Sequence, residues 1–363
     1  MKKIVISWRP QPAMSAVEWG EKARDAASLQ RRLRKSYIED HIMQIAPDII
    51  QVPLPLPFAL RIVNCYLLRG SHGWTVIDSG LGTADDRAAW LAAFAEHGIG
   101  PGNLEQIVLT HFHPDHYGLA GWLQQWNGHE TPVHMAPREA EQARIVWQRP
   151  AGSHEPMHDL FTDYGAPPEL TAAMVEQLRD LRRYTPPHPV VTLLEPGATI
   201  RLGRRDCQVI HAPGHSDGQI VFYDPADRLI LSGDQVLIKI TPNIGLWPES
   251  EPDPLGRYLS SLDHLATFDV RLALPGHGAL ISDWRGRLAE LQHHHAERLD
   301  TMFKAVNDAT DAYTVARTAF PFERLTHHEM RFAMAETIAH LEYLVHRGRL
   351  QKSFDTVWKY ARV

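Results

Sequence analysis

Several things are scarce in this chain, and each scarcity excludes a class. Its 363 residues hold two cysteines, Cys65 and Cys207, each inside an apolar run. That is no framework for disulfides, so packed thiols and a reducing, cytoplasmic setting are expected. No uninterrupted apolar run approaches the roughly 20 residues that a membrane-spanning helix needs. After Met1-Lys2-Lys3 only Ile4-Val5-Ile6 precede Ser7 and Trp8-Arg9-Pro10, too short a stretch for the core of a signal peptide. Positive charge is not in excess either. The 37 Lys and Arg against 43 Asp and Glu leave a net charge of −6, which argues against simple electrostatic binding of nucleic acid. Low-complexity tracts and internal repeats are missing. With 44% apolar and 22% charged residues, the chain has an ordinary globular composition and enough length for one sizeable core plus additions.

Histidine, by contrast, is plentiful at 22 residues, and its placement is uneven. Three imidazoles and a carboxylate fall within Thr110-His111-Phe112-His113-Pro114-Asp115-His116, directly after Ile107-Val108-Leu109. The apolar run is short, β-branched and bounded by polar residues, so it predicts a buried strand ending at the cluster. A strand end holds the following loop rigidly, which suits presentation of ligands. His111 and His113, two apart, can converge on one ion, while Asp115 and His116 can turn toward a second. Imidazole suits zinc, iron and nickel, and carboxylate oxygen widens the choice toward iron and manganese. Two neighbouring histidines would mean little in this chain; four ligand-type residues at this spacing point to metal.

His-x-His-x-Asp-His after a strand resembles the signature of the metallo-β-lactamase-fold metallohydrolases. The resemblance implies an α+β chain folded as a four-layer αββα sandwich, with one or two metal ions at the edge between its sheets. It also implies further ligands in a fixed order, each closing its own strand. Cys207-Gln208-Val209-Ile210 leads to His211-Ala212-Pro213-Gly214-His215-Ser216-Asp217-Gly218, where His215 matches the family's third histidine. Leu229-Ile230-Leu231-Ser232-Gly233-Asp234 ends at the carboxylate that bridges both ions in the family. Leu272-Ala273-Leu274-Pro275-Gly276-His277 supplies the last ligand. By resemblance, His111, His113 and His215 hold one ion, Asp115, His116 and His277 hold the other, and Asp234 spans them. Asp115 and Asp234 are then the catalytic carboxylates. His211 is off the pattern and reads as structural. Asp78, in Ile77-Asp78-Ser79-Gly80, either orients a ligand histidine or simply forms a turn.

Around this site the chain divides into three parts. Residues 1–46 read as a helix-compatible arm, opened by the capping-box pair Ser15 and Glu18 and ended by Pro47. Its Arg31, Arg32, Arg34 and Lys35 suit a solvated face. Residues 47–283 form the sandwich, starting with short runs at 49–52, 62–68 and 74–80; the Asn64-x-Tyr66 and Ile77–Gly80 pieces resemble the family's opening strands. Within it, residues 137–184 read as two inserted helices, one opened by Pro137 and one by Pro168, with a loop over Ser153–Asp159 between them. The insertion either covers the site or decorates the periphery. After Asp234, Asn243 and Trp247 are candidates to line a substrate pocket, although packing would explain Trp247 equally well. Residues 284–363 predict helix, helix, helix, hairpin and resemble the β-lactamase-associated winged helix. His293-His294-His295 face different ways on the first of these helices and make a poor metal site. The third carries a stripe of Met330, Met334, Ile338, Leu341 and Val345 suited to packing on the sandwich or on a second subunit in a homodimer, so this part is expected to hold structure, shape the pocket edge or dimerise. From Ala296 onward ten Lys or Arg stand against nine Asp or Glu, too even a balance for reading a DNA groove.

The expected activity is hydrolysis of a small carbonyl ester, thioester or lactone. Two divalent ions about 3.5–4 Å apart can share a hydroxide formed near neutral pH, and that hydroxide is the expected nucleophile. Zinc is the first expectation for both ions, with iron or manganese as alternatives. An aspartate at 234 resembles the hydroxyacylglutathione-hydrolase, lactonase and phosphodiesterase branches, since true β-lactamases have cysteine there. The rival readings are a metal-dependent phosphodiesterase or ribonuclease, and a winged-helix nucleic-acid binder with a vestigial hydrolase.

Overall fold

The computed structural model describes residues 42–363. The predicted helical arm lies outside these residues except for its last positions, and those are strand. Pro47-Asp48 turns the chain between β1 (Met43–Ala46) and β2 (Ile49–Pro55), which pair antiparallel. Proline presets the backbone for such a turn, so Pro47 joins two strands where it was expected to end a helix. The meander continues through β3 (Ile62–Arg69) and β4 (Trp74–Ile77). After α1 (Ala84–Glu96), capped by the Thr83–Asp86 box, the sheet is extended in parallel by β5 (Leu104–Val108), β6 (Val133–Met135) and β7 (Val191–Leu193). Two short helices, α2 (Pro114–Tyr117) and α3 (Ala120–Asn127), lie between β5 and β6.

Inserted between β6 and β7 are α4 (Pro137–Trp147), α5 (Pro156–Asp163) and α6 (Pro168–Arg182). The insertion therefore holds three helices where the sequence predicts two. Pro156 opens α5 at a first helical position and turns the second half of the expected Ser153–Asp159 loop into helix. A second sheet has the order β12-β11-β10-β9-β8, built from β8 (Thr199–Leu202), β9 (Arg205–His211), β10 (Ile220–Asp224), β11 (Leu229–Gly233) and β12 (Leu272–Pro275). β9 alternates, sending Cys207 and Val209 inward, whereas β11, with a parallel neighbour, is buried throughout.

Two sheets with one apolar face each would leave half of their surface wet; here helices cover the outer faces of both sheets, except along β8 and β9 at the edge of the second. Ile49, Tyr66, Leu68 and Val108 of the first sheet meet Val209, Phe222, Leu231 and Leu274 of the second. Trp90 and Phe94 of α1 cover the outer face of the first sheet. On the other side Val221, Ile230 and Ala273 pack under α7 (Pro254–Leu265) and α8 (Trp284–Ala305). The result is the helix–sheet–sheet–helix sandwich. Beyond it follow α9 (Ala312–Ala319), α10 (His327–His346) and the hairpin β13 (Leu350–Phe354) and β14 (Trp358–Arg362). The stripe of α10 is buried in the same core as the sandwich, with Met334, Ile338 and Leu341 fully covered. His295 of α8 meets His340 of α10 at 3.1 Å, both buried, while His293 pairs with Glu297 on the exposed side. Both cysteines are free and buried.

Candidate metal centre and adjoining cavity

Four strand ends deliver the site. At the end of β5, Pro114 opens a single helical turn, so Asp115 and His116 lie on α2 while His111 and His113 stay on the extended approach. Ser79 at the end of β4 anchors that turn, donating from N (2.8 Å) and Oγ (2.7 Å) to the His116 carbonyl. Thr110 links the sheets, its carbonyl accepting from Ile220 N at 3.1 Å. β11 ends at Asp234 and its parallel neighbour β12 at His277, with Gly276 N donating to Gly233 O at 2.8 Å. Asn64 N donates to Gly276 O, Asn64 Nδ2 to the carbonyls of Pro275 and Gly278, and the Tyr66 hydroxyl to Pro275 O. That is the work of the Asn-x-Tyr piece: it pins the loop that carries His277. Gly276 has no room for a side chain, because a Cβ there would stand 2.3 Å from Asp234 Oδ1.

The seven residues predicted as ligands converge. His113 Nδ1 lies 3.1 Å from His111 Nε2 and 2.9 Å from His215 Nε2. Beside this trio, His277 Nε2 is 3.4 Å from Asp115 Oδ2, and His116 Nε2 is 3.9 Å from the same oxygen. Asp234 sits between the groups: Oδ1 is 3.3 Å from His116 Nε2, and Oδ2 is 3.3 Å from His277 Nε2 and 3.7 Å from His215 Nε2. All seven belong to clusters whose donor atoms lie close enough to share an ion. His116 Nε2, His277 Nε2 and Asp234 Oδ1 are buried without a hydrogen-bond partner among the described residues. Buried polar atoms are rarely left so, and coordination of divalent cations by this imidazole–carboxylate set would satisfy them.

The electrostatics divide the cluster. Burial first, then the neighbouring imidazoles, holds His111 and His113 well below the ordinary histidine range, so they are neutral and ready to ligate. Burial pushes the Asp234 carboxyl up, but His277 and His116 overrule it and hold it well below its usual value. His277 is lifted to about 10 by Asp234 and Asp115 against the pull of burial. A cation in the second group would take over the part those protons play.

Four of the five imidazoles are aimed by their other nitrogen, the arrangement metal-binding histidines need. Asp78, held at φ 57°, accepts from Thr110 N and lies 2.8 Å from His116 Nδ1. Thr110 Oγ1 lies 2.9 Å from His111 Nδ1. His215 Nδ1 donates to Asn243 O at 3.0 Å and His277 Nδ1 to Ile62 O at 2.6 Å. His211 stays outside the cluster, near the Asp217 carbonyl. Sequence reasoning missed Glu139 of α4, which is fully buried. Its carboxylate accepts from Phe112 N at 2.7 Å, Gly218 N at 2.6 Å and the Ser216 hydroxyl, stitching two ligand loops together. Burial lifts it to about 7 against the pull of these three donors.

A cavity of about 350 Å³ opens on His113, Asp115, His215 and Asp234. The insertion supplies one wall (Ile145, Trp147, Met157, Leu178), and Trp147 Nε1 donates to Phe112 O at 2.7 Å. Asn243 and Trp247 line it too. α10 forms a third side with His328, Arg331 and Phe332, residues that sequence reasoning did not bring to the site. That helix is fixed by Leu246 N donating to Ala335 O, and by Asn243 Nδ2 donating to Phe332 O and Glu336 Oε2. One signal was available: Arg331 stands three and seven residues before the core residues Met334 and Ile338, on the same helix face.

Residues 59–277 match the Metallo-beta-lactamase superfamily and residues 299–363 the Metallo-beta-lactamase-like C-terminal domain. The chain belongs to the metallo-β-lactamase superfamily, as its ligand motifs predict. A probable metallo-hydrolase of Bacillus subtilis is 26% identical over 307 residues, covering 82% of this chain and 92% of that protein. An acyl-coenzyme A thioesterase of Gallus gallus is 36% identical over 177 residues, 48% of this chain and 57% of that protein. The crystal structure of a metallo-beta-lactamase family protein from Thermus thermophilus superposes with a TM-score of 0.79 at 33% identity, covering 88% of this chain and 100% of that one. Among the described residues, no helix is long and apolar enough to cross a membrane.

Proposed function

We propose that this chain hydrolyses thioesters or other carbonyl esters, lactones included, of apolar acyl groups at a two-metal centre. The observation that carries this reading is the largely apolar cavity opening directly onto His113, Asp115, His215 and Asp234. Its size is in the range of cavities that enclose small organic ligands. His111, His113 and His215 would hold one ion, Asp115, His116 and His277 the other, and Asp234 both. The ions, zinc before iron or manganese, would supply a water ionised near neutral pH and a Lewis acid for the carbonyl.

The rest falls to the chain. Asp78, Thr110 and the carbonyls of Asn243 and Ile62 hold four of the five imidazoles in the tautomers that turn their free nitrogens inward. Trp147, Met157, Leu178 and Phe332 bind the acyl group and keep bulk water from the carbonyl. The likeness to an acyl-coenzyme A thioesterase supports a thioester among the substrates. A polyanion is the poorer substrate in this reading. Arg182 and Arg149 of the cavity wall are tied to Glu155, and Arg149 also to Glu249, which leaves no basic track for phosphates. For the same reason nucleic acid is not proposed as a partner of the C-terminal helices: Arg331 is buried in the cavity wall.

The test is a panel on metal-loaded protein: acyl thioesters and aryl esters of increasing chain length, lactones, a phosphodiester and single-stranded RNA. Turnover of thioesters or esters that improves with chain length is expected. Cleavage of RNA or the phosphodiester, with none of the esters touched, would reverse the assignment.

A further inference from the structure

Arg331 is a buried cation that no carboxylate among the described residues neutralises. It lies in the cavity wall, 7% exposed, with its guanidinium 5.4 Å from the centre of the Trp247 ring and 4.7 Å from that of Phe332. Its Nε has no hydrogen-bond partner among the described residues. Burial alone draws its pKa down, to about 10, with no carboxylate opposing the shift, so it remains a cation at neutral pH.

Other charged groups of the wall have partners. Arg182 forms a two-pronged pair with Glu155, Arg149 reaches Glu155 and Glu249, and Glu329 is spent on the capping box with Thr326. His328 contributes no charge, since burial and Arg331 hold it near 4. Taking a charge out of water without a counter-ion is costly. The Trp247 and Phe332 rings beside it, set edge to face at 86°, offer the guanidinium no oxygen acceptor, and its N–H fork suits a planar, two-oxygen one.

We propose that Arg331 is a specificity-determining residue that pairs with a carboxylate carried by the acyl part of the substrate. The substrates are then half-esters or half-thioesters of apolar dicarboxylic acids, one carbonyl at the metal centre and the free acid at Arg331. A carboxylate fits better than a phosphate monoester: one negative charge balances one guanidinium, whereas the second phosphate charge would stay buried and unpaired. The inference rests on the esterase reading above and narrows it.

The experiment compares half-esters of dicarboxylic acids, from succinate to sebacate, with fatty-acid esters of equal chain length, on the wild type and on Arg331→Met and Arg331→Lys. Wild type is expected to favour the half-ester at one chain length. Arg331→Met should raise KM for that half-ester about thirty-fold or more while moving the neutral ester less than about two-fold. Arg331→Lys, which keeps the charge but loses the fork, should fall between. Equal effects on both esters, or no preference in the wild type, would overturn the proposal and leave Arg331 as packing. Calorimetric titration of the wild type with free dicarboxylates and matched monocarboxylates gives a readout independent of turnover and of variant folding. Tighter, salt-sensitive dicarboxylate binding supports the carboxylate pairing even if no ester is hydrolysed, in which case only the esterase reading fails. Equal binding of the two acids overturns it.

Discussion

The metal-ligand wall and the apolar wall of the cavity differ in how their residues reach it. Every predicted ligand lies after the end of a strand, and the strands meet at one edge of two stacked sheets. The apolar wall is assembled from the insertion, the segment after Asp234 and the C-terminal α10, which are remote in sequence. A ligand wall built this way is rigid because the sandwich core sets it. The apolar wall depends on helices packed on that core and meets the ligand loops at Glu139, Trp147 and Asn243. Away from those three points its shape can change without disturbing the ligands.

The comparison can be broken most severely at Asp234, the residue common to both ligand groups. Asp234→Ala should remove at least one ion per chain and lower kcat/KM by more than about a hundred-fold, since even residues one step removed from a metal cost 10–100-fold. The cavity should keep its affinity for an apolar ligand. Elemental analysis, kinetics and a fluorescent fatty-acid probe read the three quantities. Active wild type with at most one ion per chain would end the two-metal reading.

Glu139 is one of the points where the two walls are joined, and its loss is expected to rank next. Glu139→Ala strands the Phe112 and Gly218 amides and the Ser216 hydroxyl in a buried position. With about 1–3 kcal/mol for a buried group left unpaired, and partial rescue by water, about 2–4 kcal/mol of stability should go. Metal affinity should fall with it, because two ligand loops lose their tie. Urea denaturation and metal titration check both. Unchanged values would show that the insertion is only a cover. Cutting the insertion away cannot serve as a test of lid function, since α4 carries this carboxylate.

What was legible in the chain follows the same division. Local patterns carried β2 to β5, β9, β11, β12 and the His111–His116 cluster, because a short apolar run ending in a ligand motif is decided by neighbours in sequence. His215, Asp234 and His277 came from the resemblance to the family's ligand order, and β6, β7, β8 and β10 were not read. β1, α5, Glu139 and Arg331 were not read correctly. β1 is strand because β2 lies beside it, and α5 follows from a proline that serves equally well in a loop. Glu139 looks like any acid in a helix's first turn until the loops 111–116 and 215–218 are brought to it. Arg331 is one of the ten C-terminal cations counted against DNA binding; its place on the face of Met334 and Ile338 points inward.

The mildest change should alter the apolar wall alone. Leu178 lies in the cavity wall on α6, half-buried, and has no part in holding a ligand loop. Leu178→Trp adds bulk to the space the acyl group is proposed to fill, while the sandwich and its ligands stay as they are. One methylene too many in an apolar pocket changes selectivity by about ten-fold or somewhat more. The variant should therefore lose about ten-fold in kcat/KM on the longest acyl thioesters accepted by the wild type. Acetyl thioesters, too short to reach that wall, should be turned over as before, and metal content should not change. Measured across a chain-length series, the optimum moves to shorter chains. An equal loss on acetyl and long-chain substrates would mean that the walls are mechanically coupled, and that the cavity does not choose substrate independently of the metal centre.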